Sequence, residues 1–273
     1  MDVTAKSLDY TVVIPAHNEA ENLPSLLSEL QRVLELISDR YEIIVVDDGS
    51  SDETPLVLNE LQLSIPQLVN LRLARNYGQS AAFDAGFRAA HGRVIITLDA
   101  DGQNPPQEIL KLIPLLDRFD MVCGWRQNRQ DYLSRRYASK FANTFRRWIL
   151  QDGIHDSGCS LKVFRSEVVE RFPLFNGMHR FFPALALLRG YSVGEVRIDH
   201  APRERGRSHY GIRNRVWGPF CDLWMVYWMQ RRQRIWKIAE TPVERSFPLR
   251  TRRVDWPESV DISRTPARLR LPR

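Results

Sequence analysis

Five short apolar runs, mostly β-branched, recur along the first half of the chain. They are YTVVIP (Tyr10 to Pro15), EIIVVDD (Glu42 to Asp48), LVNLRLA (Leu68 to Ala74), RVIITLDAD (Arg93 to Asp101) and MVCG (Met121 to Gly124). Runs that are apolar at successive positions suit strands buried on both faces. Stretches of helical period lie between them. Leu23, Leu26, Leu27, Leu30, Val33 and Leu34 mark one face of a first helix. Gln79 to Ala90 is rich in Ala and Phe, and Gly92 is expected to act as its stop. Strands alternating with helices predict an α/β chain whose mostly parallel central sheet is flanked by helices. In such sheets ligands lie beyond the carboxyl ends of the strands.

Three of the strand ends are polar and unusual: PAHNE, DDGSSDE and DADGQNPP. Asp99 and Asp101 flank Ala100, and two carboxylates this close repel unless a cation lies between them. A divalent Mg2+ or Mn2+ ion suits the pair, since both prefer oxygen ligands shared with phosphates. Gln103 offers a further carbonyl. The alternatives are an exposed acidic turn and the nucleophile of a haloacid-dehalogenase-like chain, although that motif is usually followed by Thr or Val rather than Gly102-Gln103. Asp48 is placed to accept from a base or ribose. Ser51 or Asp52 serves equally as the N-cap of a following helix. Glu19 could bind a base or sugar edge and His17 could stack on it, but Glu19 at a helix N-terminus is also favoured by the dipole alone. No GxGxxG follows a strand and no GxxxxGK[ST] occurs, so dinucleotide and P-loop chemistry are disfavoured.

The second half has a different character. Leu133 to Leu150 reads as an amphipathic helix with Leu133, Tyr137, Phe141 and Trp148 near one face. Arg135, Ser139 and Asn143 recur every four residues, so an Arg and a hydroxyl one turn apart could grip a phosphate. A solvated basic face including Arg136, Lys140, Arg146 and Arg147 is the alternative. Residues 201–237 carry nine basic and two acidic groups and four of the seven tryptophans, Trp217, Trp224, Trp228 and Trp236. The apolar core of this segment, Val216 to Met229, is too short to span a hydrocarbon layer of ~30 Å. Flanked by arginines, it reads as an interfacial helix on an anionic membrane, or as a helix packed on the catalytic domain or another subunit. The chain is expected to divide as 1–215 for the catalytic domain, 216–238 for the basic aromatic helix and 239–273 for a Pro- and Arg-rich tail that is largely disordered.

Charge and cysteine content sharpen this division. Residues 1–200 hold 22 basic and 26 acidic groups, a net of −4, and residues 201–273 hold 17 and 7, a net of +10. The three cysteines, Cys123, Cys159 and Cys221, form no CxxC pair and suggest a reducing setting rather than a disulfide framework. The N-terminus lacks an apolar signal core. No zinc, RRM or helix-turn-helix pattern accompanies the basic end, so nucleic acid is not an expected partner.

Six segments in order, VVIPAHNEAENL, IIVVDDGSSDET, ARNYGQSAAFDAGFRAAHG, ITLDADGQNPP, HDSGCSLKVFR and GRSHYG, resemble inverting glycosyltransferase family 2. Within it the chain is similar to the dolichol-phosphate mannose synthase group and its bacterial polyprenyl-phosphate relatives, over roughly residues 8–215. The resemblance implies a GT-A fold. It implies transfer of a sugar from a GDP- or UDP-linked donor to a polyprenyl phosphate, at the cytoplasmic face of the membrane, with Mg2+ or Mn2+. It matches Pro15, His17 and Glu19 to a nucleotide-contacting motif, Val46 and Asp48 to the base and ribose, and Asp99, Asp101 and Gln103 to the metal and diphosphate. Arg126, Arg135 and Ser139 match acceptor-phosphate contacts, and Arg203 matches a loop arginine near the diphosphate. His17 stands where the family often has Tyr, and His209 where it usually has Lys. Transfer to a soluble saccharide or protein, and nucleotide-sugar binding without turnover, are the competing readings.

Overall fold

The protein is described as a computed structural model covering residues 8–126, 143–170, 172–201 and 217–233. The tail 239–273 lies outside the described residues. Seven strands form one sheet: β1 (Leu8–Ala16), β2 (Tyr41–Asp47), β3 (Leu68–Arg72), β4 (Gly92–Thr97), β5 (Met121–Arg126), β6 (Lys162–Arg165) and β7 (Val193–Ile198). Their spatial order is β3-β2-β1-β4-β6-β5-β7. Every neighbouring pair is parallel except β6 with β4 and β6 with β5, so β6 alone runs against the rest.

The helices α1 (Leu23–Glu35), α2 (Thr54–Ser64) and α3 (Gln79–Ala89) connect the first four strands, and a short α4 (Ile109–Leu112) follows. Alternate residues of the strands face opposite layers, as the period of two requires. Val12, Ile14, Ile43 and Val45 pack with the α1 residues Leu23, Leu27 and Leu30, and with Leu58, Ile109 and Leu112. The apolar face expected for α1 is the buried one: Leu23, Leu26, Leu27, Leu30, Val33 and Leu34. On the other side of the sheet, Val13 and Ile95 pack with Phe83, Leu150, Phe164, Phe182, Leu185, Leu223 and Val226. Ile44 and Val46 pack there with Ala82 of α3. Both faces are therefore covered, which explains why β2 is buried at all seven positions.

Two local expectations change. Gly92 opens β4 instead of stopping the preceding helix. A Cβ at Gly92 would lie 2.4 Å from the Thr11 backbone nitrogen and 2.6 Å from the Tyr10 carbonyl carbon, so the residue is glycine because β1 passes directly over it. The N-cap of α2 is Glu53, with no side-chain cap. Asp52 instead accepts from the Thr54 N–H, one residue inside, at 3.0 Å.

The chain leaves β1 toward β3 on one side and toward β4 on the other. The carboxyl ends of β1 and β4 therefore flank a topological switch point, the usual place for a ligand crevice in an open α/β sheet.

Candidate active site

At the end of β1 the chain turns through Asn18, which adopts a left-handed φ of 57°. Asn tolerates this conformation better than most residues. Its side-chain oxygen accepts the N–H groups of Ser51 (2.8 Å) and Asp52 (3.3 Å), and its own N–H donates to Ser50 Oγ (2.9 Å). The β1 and β2 loops are thus laced together. His17 Nδ1 lies 2.9 Å from the Asp48 carbonyl, which makes Nδ1 the protonated nitrogen. Glu19 donates its N–H to Thr54 Oγ1 (2.9 Å), and its carboxylate accepts from Asn22 Nδ2 (2.6 Å). Pro15 and Val46 stand opposite each other in the β1–β2 register. Val46 is fully buried, its side chain in the layer beneath α3.

The β2 end supplies two buried carboxylates with different partners. Asp47 Oδ1 accepts the Ser50 N–H at 2.8 Å, and its Oδ2 is 3.3 Å from Arg72 Nε. Asp48 accepts the backbone N–H of Tyr77 on Oδ1 (2.7 Å) and of Gly78 on Oδ2 (2.8 Å). Gly49, at φ 66°, allows this approach, because a Cβ there would be 2.4 Å from the Arg75 carbonyl carbon. Asp48 is therefore a structural anchor for the turn before α3, and its remaining lone pairs are the ones available to a ligand.

The β4 end carries the DxD loop. Asp99 Oδ1 accepts from Gln79 Nε2 at 2.8 Å, and the Asp99 N–H donates to Ser160 Oγ at 3.2 Å. Asp101 Oδ1 accepts the Gln103 N–H at 3.2 Å across Gly102. The Gln103 carbonyl accepts the N–H of Ala201, two residues before Arg203 in the chain. Buried Asn104 donates to Ser160 Oγ at 2.7 Å, and Thr97 Oγ1 donates to the Ser160 carbonyl at 2.6 Å. The loop is thus bolted to the segment that leads into β6.

Burial first, and the neighbouring Asp101 charge second, push the Asp99 carboxyl up to about 6. Ser160, Lys162 and Arg126 act in the other direction. Among the described residues no group of three or more His, Cys, Asp or Glu is gathered for a metal. Two carboxylates alone make an incomplete protein set, which fits a hard cation that takes its remaining oxygens from phosphate and water.

Arg126, at the end of β5, is almost wholly buried and engages Asp156 through two bonds, Nε to Oδ2 at 2.7 Å and Nη2 to Oδ1 at 2.9 Å. Burial works against its charge, yet this bidentate partner holds the guanidinium pKa above its ordinary value. Asp156 is itself held by the carboxylate of Glu195, which accepts its N–H at 2.9 Å. Lys162, on the antiparallel strand β6, is buried beneath the loop, with Nζ donating to the Cys159 carbonyl. It is a fixed cation close enough to favour ionised Asp99.

The structure thus brings His17, Glu19, Asp48, Asp99, Asp101 and Gln103 to the carboxyl ends of β1, β2 and β4, with Arg126 at the end of β5, on the far side of β6 from β4. Arg135, Ser139, Arg203 and His209 lie outside the described residues. Residues 143–150 are helical. Within that segment Arg146 is buried on Asp152 rather than solvated. Trp148 is 75% exposed, whereas Phe145, Ile149 and Leu150 join the core. Sequence reasoning missed Gln79, Ser160, Lys162 and Asp156. Only their place inside the quoted segments GQS and HDSGCSLK pointed to them.

The family model described as Glycosyl transferase family 2 matches residues 11–172. An undecaprenyl-phosphate 4-deoxy-4-formamido-L-arabinose transferase of Salmonella choleraesuis is 40% identical over 204 residues, covering 74% of this chain and 62% of its own length. A dodecaprenyl-phosphate galacturonate synthase of Rhizobium johnstonii is 36% identical over 234 residues, covering 83% of this chain and 68% of that protein. The chain therefore spans a little under two thirds of the first of these relatives. In fold it is similar to a mannosyltransferase of Pyrobaculum calidifontis solved with GDP-Man and Mn2+ (TM-score 0.57, 22% identity, 73% of this chain and 58% of that one). It is also similar to glucosyl-3-phosphoglycerate synthase of Mycobacterium tuberculosis solved with Mn2+ and UDP (TM-score 0.59, 15% identity, 82% and 80%).

Proposed function

The chain belongs to glycosyltransferase family 2 and has its GT-A fold, and from that premise we propose that it moves a sugar from a nucleoside-diphosphate donor to a polyprenyl monophosphate with inversion. The observation that carries this reading is the meeting of the β1, β2 and β4 loops at the switch point, with Asp48 at one end and Asp99–Asp101 at the other. The acceptor class is supported by relatives at 36–40% identity whose names specify undecaprenyl or dodecaprenyl phosphate. The donor is GDP- or UDP-linked.

In this reading Asp48, His17 and Glu19 hold the nucleoside side. Asp99, Asp101 and Gln103 would hold Mg2+ or Mn2+, which when bound supplies positive charge to the departing diphosphate. Arg203, with His209 six residues beyond it, would add positive charge at the diphosphate. The acceptor phosphate needs no strong base, because its second pKa is about 6 and it is already largely ionised near neutral pH. Arg126, Arg135 and Ser139 would then orient the nucleophile rather than activate it. Arg126 does so as half of a rigid pair with Asp156.

The lipid acceptor requires a membrane-facing surface. The helix Trp217–Arg232 buries Leu223 and Val226 against the core and exposes Phe220 (40%), Trp224 (47%) and Trp228 (60%). The Arg231 and Arg232 guanidiniums lie over Tyr227 (5.3 Å) and Trp228 (6.0 Å). Aromatic rings beside arginines suit the headgroup level of an anionic bilayer. Among the described residues no helix is long and apolar enough to cross a membrane. Peripheral attachment at the cytoplasmic face of the membrane is the location proposed. Leu223 and Val226 make the packed face of this helix, and the exposed aromatic face is the one proposed to meet the membrane.

The test is transfer of radiolabel from a panel of UDP- and GDP-sugars to undecaprenyl phosphate, read in the organic phase, with Mn2+ or with EDTA. A labelled lipid formed only with the metal supports the proposal. Label that reaches only a water-soluble saccharide or protein refutes it.

A further inference from the structure

Four consecutive residues at the start of α3 hold three separate parts of the molecule. The N–H groups of Tyr77 and Gly78 go to the two oxygens of Asp48. The Gln79 amide goes to Asp99 Oδ1 at 2.8 Å. Ser80 Oγ accepts the Gly177 N–H at 3.0 Å and lies 3.0 Å from His179 Nδ1. Gly78, at φ 93° and ψ 157°, makes the change of direction that aims its own N–H at Asp48 and starts the helix one residue later. The two carboxylates expected at opposite ends of a nucleoside-diphosphate donor are therefore joined by one short bracket of chain.

We propose that Gln79 is a positioning residue for the metal end of the site: it sets the rotation of the Asp99 carboxylate without neutralising it. A neutral amide is the right chemistry for that task. One N–H on Oδ1 removes the freedom of the carboxylate to turn about Cβ–Cγ and leaves lone pairs for a cation. A lysine or arginine in the same place would supply a charge of its own and compete with the metal for Asp99. Ser160 holds the Asp99 backbone N–H and also favours its ionised carboxyl, so α3 and the approach to β6 both restrain the residue, with the Gln79 amide on Oδ1. Outer-shell donors of this kind orient the ligands of a metal site, and their removal typically costs 10–100-fold in affinity.

The inference rests on the metal assignment above, and the experiment separates the two. Mn2+ alone is titrated into the full chain and the free ion is counted by electron paramagnetic resonance. Metal-free UDP and GDP binding is followed by calorimetry, and melting temperature is recorded. Gln79→Met is expected to raise the Mn2+ dissociation constant about tenfold, with melting temperature and metal-free nucleotide binding unchanged. Gln79→Lys keeps a donor but adds charge, and is expected to weaken Mn2+ further still. Unchanged Mn2+ affinity in Gln79→Met, or restored affinity in Gln79→Lys, overturns the proposal. So does a parallel fall of Mn2+ affinity, nucleotide affinity and melting temperature, which makes Gln79 a scaffold residue. A wild-type chain that binds nucleotide but no Mn2+ overturns the metal assignment itself.

Discussion

The donor-side loops and the aromatic layer beyond α3 touch through Ser80 and His179, yet they are built on different principles. The loops after β1, β2 and β4 are held by directed bonds: Asn18 to Ser51, Asp48 to Tyr77 and Gly78, Gln79 to Asp99, Asn104 to Ser160. The aromatic layer is held by rings. Phe172 stacks on Phe182 at 5.3 Å, Phe83 meets Phe182 edge-on at 5.5 Å, and Phe145 stacks on Phe220 at 6.3 Å. In the proposed reading these hydrogen bonds fix the rotamers of carboxylates that would meet a cation and a diphosphate. Ring packing is less directional and leaves Trp148, Trp224 and Trp228 facing outward. Under the proposed function the difference teaches where precision would be needed: at the leaving group, and much less at a fluid lipid surface.

The sharpest way to break the donor side alone is Asp101→Ala. Metal-dependent transfer should fall by roughly 10^3-fold or more. Melting temperature should not fall, because Asp101 is a source of the repulsion that raises the Asp99 pKa. A turnover assay with Mn2+ and a thermal melt on the same preparation check both halves. Next comes Arg126→Ala, which removes both charged hydrogen bonds from Arg126 to the buried Asp156 carboxylate. Loss of about 3–5 kcal/mol in urea unfolding is expected. An effect on transfer at unchanged stability would mean that the pair is not structural.

A pH effect falls on the other side of the divide. Burial, then the charges of Arg180 and Lys162, drive His179 down to about 3 from its ordinary 6.5. The folded state therefore refuses a proton that the unfolded state accepts. Between about pH 6.5 and 3 the unfolded chain binds more protons, so stability falls as pH drops through 6.5. The slope is at most about 1.4 kcal/mol per pH unit from this residue. Urea midpoints at pH 7.5 and 5.5 should differ more for the wild type than for His179→Asn, and equal differences would remove His179 from the account.

The same contrast explains what could be read without the structure. Strands β1, β2 and β4 were legible because burial on both faces leaves a largely apolar run, and β2 and β4 run into carboxylates. Strand β6 is four residues long and begins with Lys162, and β7 reads VGEVRI, so neither carries a strong pattern. The site residues that belong to motifs were legible by type: Asp99 and Asp101 advertise a cation. Gln79 was not, because a neutral amide twenty residues away becomes meaningful only when the fold brings it to Asp99 Oδ1. Trp148 was expected on an apolar face, but helical spacing cannot say which apolar residues a neighbour will cover. The core takes Phe145 and Ile149 instead.

The central claim is that donor chemistry and lipid contact reside in separable layers, and co-sedimentation with anionic vesicles tests it most directly. The full-length Trp224→Ala/Trp228→Ala double variant is compared with the wild type, with nucleoside-diphosphate affinity in Mn2+ measured alongside. Each ring contributes apolar area and an interfacial preference worth on the order of 1 kcal/mol. Vesicle binding is expected to fall about tenfold or more, with nucleotide affinity and melting temperature unchanged. Undiminished vesicle binding, or loss of nucleotide affinity in the same proportion, would contradict it.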